Sequence, residues 1–207
     1  NNFTQNHISL NLENCQADLN FINQVPWPVS WNSPGIMGPY AFAPFMECYH
    51  GILSMDHRIE GQLIIDEEQI NFSGGRGYME KDWGISFPSA YIWMQSNHFS
   101  EQGVSLKLSV ANIPWVRNSF VGFIAGFWWK NELIQFTTYN SSRLIHSYAD
   151  EEKVAIELRN KRYILNIEAA RSESTELASP ILGFMDGKIN ETMNSRIKVK
   201  LSDRKTN

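Results

Sequence analysis

Glu80 and Asp82, with Tyr78 just ahead of them, are the side chains of this sequence best placed for proton chemistry. Along an extended strand alternate residues share a face, so Tyr78, Glu80 and Asp82 point one way while Met79, Lys81 and Trp83 point the other. Two carboxylates and a phenol on one wall suit general acid–base work if the wall is enclosed, and form an ordinary solvated face if it is not. Spacing alone leaves these readings level. The company favours the first: Trp83, Phe87, Tyr91 and Trp93 follow closely, and a polar row of Gln95 and Asn97 alternates with Met94, Ser96 and His98. An earlier strand sets Glu47 and Tyr49 on one face and Cys48 and His50 on the other. A Glu in so apolar a run needs a partner or a pocket.

Other chemistries find less support. His50 and His57 are an odd interval apart, so on a regular strand they cannot chelate one ion, and no His-Glu-x-x-His or paired-Cys spacing occurs; no metal site is expected. There is no Gly-x-Ser-x-Gly elbow. Gly74-Gly75-Arg76-Gly77 precedes a strand rather than opening a helix and lacks the Gly-Lys-Ser/Thr ending of a phosphate loop, so it reads as a turn. Trp128-Trp129, after Gly122 and Gly126, reads as core or barrel-lining aromatics.

The elements that must position these residues are strands. Twelve Phe, seven Trp and seven Tyr occur in short apolar or alternating runs separated by Gly, Asn and Asp, the pattern of an all-β chain. Strands are expected near 7–12, 15–22, 45–57, 61–65, 69–72, 76–83, 91–99, 104–113, 119–129, 132–139, 143–149, 153–159, 163–170 and 197–201. The short separations permit antiparallel hairpins and forbid parallel crossovers, and Asp66–Glu68, Lys130-Asn131 and Asn160–Arg162 read as tight turns. Prolines 26, 28, 34, 39 and 44 exclude ladder pairing over Val25–Pro44, which reads as a long functional loop or lid. A short helix is expected at Ser86–Ala90 or Gly187–Asn194. Two β subdomains, 1–115 with the motif strands and 116–207, are the expected organisation, with one continuous domain as the alternative.

The net charge of −4 and the scatter of single Lys and Arg residues before Asp150 argue against nucleic acid as a partner. Cys15 and Cys48 are too few for a disulfide framework and fit a reducing, cytoplasmic setting. No apolar run approaches the roughly 18 residues of a membrane-spanning helix.

Pro34-Gly35-Ile36-Met37-Gly38 with Ala41-Phe42, then Pro44-Phe45-Met46-Glu47-Cys48-Tyr49-His50-Gly51, then Gly77-Tyr78-Met79-Glu80-Lys81-Asp82-Trp83-Gly84 with Phe87-Pro88 and Trp93-Met94-Gln95-Ser96-Asn97-His98-Phe99, resemble the tocopherol cyclase family, in the same order across nearly the whole stretch from 34 to 99. The resemblance implies a lipocalin-like antiparallel β-barrel architecture, related to the carotenoid hydratase group, and cyclisation of a prenylated quinol to a chromanol without a cofactor. The implied partner is a hydrophobic small molecule, a prenylated quinol or other isoprenoid lipid, with contact at a membrane periphery as one way of collecting it.

Such a reaction needs an acid for a trisubstituted alkene, an aromatic enclosure for the tertiary cation, and an acceptor for the phenol proton. Asp82 and Glu80 are the candidate acids. An Asp titrates near pH ~3.9, so half-protonation at neutrality needs a shift of about 3 units, or roughly 4 kcal/mol, which burial beside a second carboxylate can supply. Trp83, Trp93 and Tyr78 are the candidate cation-facing rings, although alternation sets Trp83 opposite Asp82. His98, His50 or Glu47 would take the phenol proton, Gln95 or Asn97 would orient the quinol head, and Tyr49 and Trp128 complete the substrate-contacting set. The competing expectations are a lipocalin-like carrier, which gains little from carboxylates buried inside, and a hydratase or isomerase using the same acid.

Overall fold

The computed structural model describes residues 1–205. Apart from one short 3-10 turn at Gly38–Phe42, regular structure among these residues is antiparallel strand. The first sheet holds β1 (Asn2–Phe3), β2 (His7–Asn11), β3 (Cys15–Ile22), β4 (Cys48–Ile65), β5 (Glu68–Asn71) and β6 (Gly75–Gly84), with β6 pairing β4. The second holds β7 (Tyr91–Ser96), β8 (Ser105–Trp115), β9 (Asn118–Trp129) and β10 (Glu132–Thr137), in the order β10-β9-β8-β7. In the third, β11 (Arg143–Ala149), β12 (Lys153–Arg159) and β13 (Tyr163–Ala170) come first. A separate two-stranded ribbon of β14 (Thr175–Ile181) and β15 (Phe184–Glu191) follows, and β16 (Ile197–Asp203) then returns to pair β13. No sheet closes on itself among the described residues, so the all-β, antiparallel expectation holds while a closed lipocalin-like barrel is not found.

The second sheet lies in the middle and is covered on both faces, because its strands carry apolar side chains on both. Leu106, Leu108, Val110, Phe123, Ala125 and Phe127 pack against Ile156, Leu158, Leu165 and Ile167 of the third sheet. On the other face Ile113, Ile124 and Trp128 meet a second cluster of Trp27, Ile36, Met37, Met46, Ile52 and Met55. Each such side chain contributes roughly 1.5–3 kcal/mol when fully buried. Position 116 lies in the turn of the β8–β9 hairpin, whose strands pair from Ser105↔Trp128 to Trp115↔Asn118.

Three expected turns are present: Asp66 and Glu67, and Lys130 and Asn131, have positive φ in tight hairpins, and the turn at Asn160–Arg162 joins β12 to β13. The expected strands 45–57 and 61–65 are instead one, β4, pairing β6 through its first half and β3 through its second. Gly61 lets it run through, since a Cβ there would collide with the Asp18 carbonyl oxygen. Neither expected helix forms. Ser86–Ala90 is irregular, and Gly187 lies inside β15, because the chain turns at Leu182-Gly183, both with positive φ, rather than at Asp186-Gly187. Val25–Pro44 is pinned rather than free: the Val25 backbone pairs with Met55 and Asp56, Trp27 and Ile36 are buried, and the Tyr139 hydroxyl donates to the Ile36 carbonyl at 2.7 Å.

Candidate active site

Register makes the site. His50 on β4 lies opposite Asp82 on β6, and Ile52 opposite Glu80, so the Tyr78-Glu80-Asp82 row shares a face with Cys48 and His50. The turn and irregular segment after Gly84 bring Phe87, Pro88 and then β7 across this face, and β8 supplies its floor. Cys48, His50, Tyr78, Glu80, Asp82, Phe87, Pro88, Tyr91, Ile92, Trp93, Ser109, Ala111 and Glu191 line a cavity of about 390 Å³, within the ordinary range for small-molecule sites. A smaller apolar slot adjoins it. Met37, Tyr40, Met46, Ile113, Phe120 and Ile124 line this slot, which shares Cys48, His50, Pro88, Ser109 and Ala111 with the cavity.

A tight polar cluster stands at the cavity wall. His50 Nδ1 lies 2.6 Å from Asp82 Oδ1 and 3.3 Å from Glu80 Oε1. The Tyr78 hydroxyl donates to Glu80 Oε2 at 2.5 Å, and the Trp93 indole N–H donates to the same oxygen at 3.3 Å. Behind them Lys107, fully buried, places Nζ 3.5 Å from Glu80 Oε1 and donates to Ser109 Oγ at 2.6 Å. Burial alone would raise the Glu80 pKa, but His50, the Lys107 ammonium and the Tyr78 hydroxyl together hold it down at about 2. Burial likewise opposes charge on His50, and is outweighed by Asp82 and Glu80, so its pKa is raised. Burial lowers the pKa of Lys107 against the pull of Glu80 and Asp82. The Tyr78 phenol is pushed up by burial and by Glu80, and the Cys48 thiol to about 12 by burial and then by Asp82 and Glu80. Both stay protonated at neutral pH.

These shifts correct one expectation. Glu80 is not an acid raised by burial: it is buried but held ionised, while the Asp82 side chain is 33% exposed. His50, whose pKa is raised, lies against Asp82 at 2.6 Å on the cavity wall. His50, Glu80 and Asp82 also offer three ligand atoms within 4.8 Å of one another, a grouping that could hold a metal ion. The expectation of no metal rests on histidine and cysteine spacing within the sequence, whereas this grouping joins two strands through their register. Here the Lys107 ammonium already supplies the cationic charge beside Glu80, and His50 Nδ1 is engaged with Asp82.

Of the other expected residues, Trp93 reaches the cavity. Trp83 does not: it points to the outer face of β6, stacked on Tyr49 at 5.6 Å with Lys81 Nζ over its ring. The Tyr49 hydroxyl is spent on the Ala43 carbonyl. His98 is exposed beyond the end of β7, and the Glu47 carbonyl holds the turn by accepting from the Ile85 and Ser86 amides, while the Glu47 side chain lines neither cavity nor slot. Trp128 packs against the second apolar cluster. Gln95 pairs across strands with Lys107, yet its Nε2, like Asn97 Nδ2, is buried without a partner. Sequence reasoning missed Lys107 and Ser109, whose signal is the alternation Ser105, Lys107, Ser109, Ala111 along β8.

The Glu80 shift makes stability pH-dependent. A folded pKa of about 2 against the ordinary 4.5 means stabilisation fully present above pH 4.5 and lost as pH falls from there to 2, on the order of 3 kcal/mol. His50 works oppositely: its stabilisation is full below pH 6.5 and lost as pH rises through its folded pKa. In urea unfolding across pH, E80Q is expected to flatten the acid limb between pH 4.5 and 2; an unchanged slope would assign that limb elsewhere.

A family model described as tocopherol cyclase-like matches residues 10–207. The chain is 25% identical over 152 residues to a probable chloroplastic tocopherol cyclase of Oryza sativa subsp. japonica, covering 70% of the chain and 32% of the relative. It is similar to the same extent to the chloroplastic tocopherol cyclase of Zea mays, 25% over 152 residues, with 70% of the chain and 31% of the relative covered. The chain thus spans about a third of the length of the curated relatives it matches. No solved structure matches. No helix among the described residues is long and apolar enough to cross a membrane.

Proposed function

Because the chain belongs to the tocopherol cyclase-like family, we propose that its cavity closes the ring of a prenylated quinol, converting it to a chromanol by acid-initiated, cofactor-independent cyclisation. The observation that carries this reading is the join between the two spaces: a cavity with the His50–Asp82–Glu80 cluster on its wall runs into a slot with apolar walls. An amphiphile with an oxygenated head and a branched alkyl arm fits that division.

The His50–Asp82 pair delivers a proton to the alkene. The resulting tertiary cation develops between the faces of Trp93, Tyr91 and Tyr78, each ring contributing about 0.5–2 kcal/mol when the cation is desolvated. Glu80, ionised and buried, adds a fixed negative charge where positive charge forms. The phenol oxygen attacks the cation, a C–O bond forms, and its proton leaves. A protonated aryl ether is so acidic that even a weak base such as Glu80 suffices as acceptor. The proton taken up and the proton released balance, so the product is an isomer of the substrate.

Incubation with a prenylated hydroquinone, followed by mass spectrometry and chromatography, tests the reading. A chromanol of unchanged mass supports it. A product heavier by one water indicates a hydratase, and saturable binding with no product indicates a carrier. Either of these last two results overturns it.

A further inference from the structure

Along β8 the residues Ser105, Lys107, Ser109 and Ala111 face the first sheet. The Ser105 hydroxyl is spent, donating to the Met55 carbonyl at 2.6 Å. Ser109 differs. Its oxygen accepts from the Lys107 ammonium at 2.6 Å, and an ammonium has donors only, so the direction of that bond is fixed. The serine's own proton has no acceptor among the described residues. Ser109 lies directly across from Trp93 in the β7–β8 register and lines both the cavity and the slot. The site therefore holds a hydroxyl polarised by a buried cation, with its donor unused, at the junction of cavity and slot. Such a donor is complementary to an oxygen with a free lone pair.

We propose that Ser109 is a ligand-binding residue whose hydroxyl, held in place by Lys107, donates to an oxygen of the bound molecule's aromatic head. Lys107 is its positioning residue. The proposal rests on the reading of this cavity as the site of a prenylated quinol. It adds the group that recognises the quinol's oxygen from the floor, a hydroxyl that shares the Lys107 ammonium with Glu80.

The test compares the dissociation constants of two probes by calorimetry: a prenylated hydroquinone, and the prenylated arene with the same ring methyls but no ring oxygen. S109A is expected to weaken the quinol about ten-fold, the contribution of one hydrogen bond, and to leave the arene unchanged. S109T, which restores the hydroxyl, should bring quinol binding back to near wild type. An equal loss on both probes would mean that Ser109 only shapes the cavity, and no loss on either would mean that it meets no ligand; both results overturn the proposal. If wild-type protein binds neither probe, this proposal and the cyclase reading fall together. If the oxygen-dependent loss appears but no chromanol forms, the cyclase reading fails and Ser109 stands.

Discussion

Replacing Asp82 by asparagine is expected to lower turnover of a prenylated quinol by roughly 10²–10⁴-fold, the usual contribution of a positioned acid, while leaving the fold intact. The asparagine amide oxygen can still accept from His50 Nδ1, which now lies 2.6 Å from Asp82, so the ring is held in place. What is lost is an oxygen able to carry the proton, and the negative charge that helps keep His50 protonated. Because the side chain is partly exposed, the stability cost should stay within about 1 kcal/mol. Urea unfolding and product assays on the same preparation separate the effects. Full turnover by D82N would remove Asp82 from the mechanism and leave His50 as the proton carrier.

The second large effect is on stability. Lys107 is wholly buried, and the Glu80 side chain retains 8% exposure. Removing one partner of a buried pair leaves the other charge uncompensated, a loss of roughly 3–5 kcal/mol. K107M keeps the volume and deletes the charge, so its melting temperature should fall on the order of ten degrees for a chain of this size. The double variant K107M/E80Q removes both charges and should recover most of the loss, since replacing a pair together is far milder than orphaning one member. Equal melting temperatures for wild type and K107M would show that Glu80 draws its compensation from His50, Tyr78 and Trp93 without Lys107.

The cavity wall was legible in the sequence because β6 is a regular strand, and a period of two is a local property. Tyr78, Glu80 and Asp82 fall on one face, and the same rule warned that Trp83 would fall on the other. Long-range features were not legible in this way. Lys107 reads as a solvent-facing residue of a strand, and only the burial of the second sheet between two layers makes it an interior cation. The electrostatics of the cluster were not legible for a related reason: the Glu80 pKa is held down against burial by His50, Lys107 and Tyr78, and the partnership of His50 with Asp82 depends on the β4–β6 register, which a strand's own periodicity does not specify. The β14–β15 ribbon is not legible because Gly187–Asn194 reads as a short helix, whereas the chain reverses at Leu182-Gly183 and carries Gly187 within a strand.

The two-sided character of β6 has a consequence for how this protein can vary. Its inner row is coupled: Tyr78 and Trp93 share one Glu80 oxygen, and His50 and Lys107 share the other. Substitutions there will be strongly non-additive, and improving one contact disturbs the rest. The outer row, with Lys81 and Trp83 against Tyr49, touches none of those atoms. Changes on that face can raise or lower the stability of the strand as independent increments, so one ten-residue element offers selection a face that is free to drift and a face that can change only as a set.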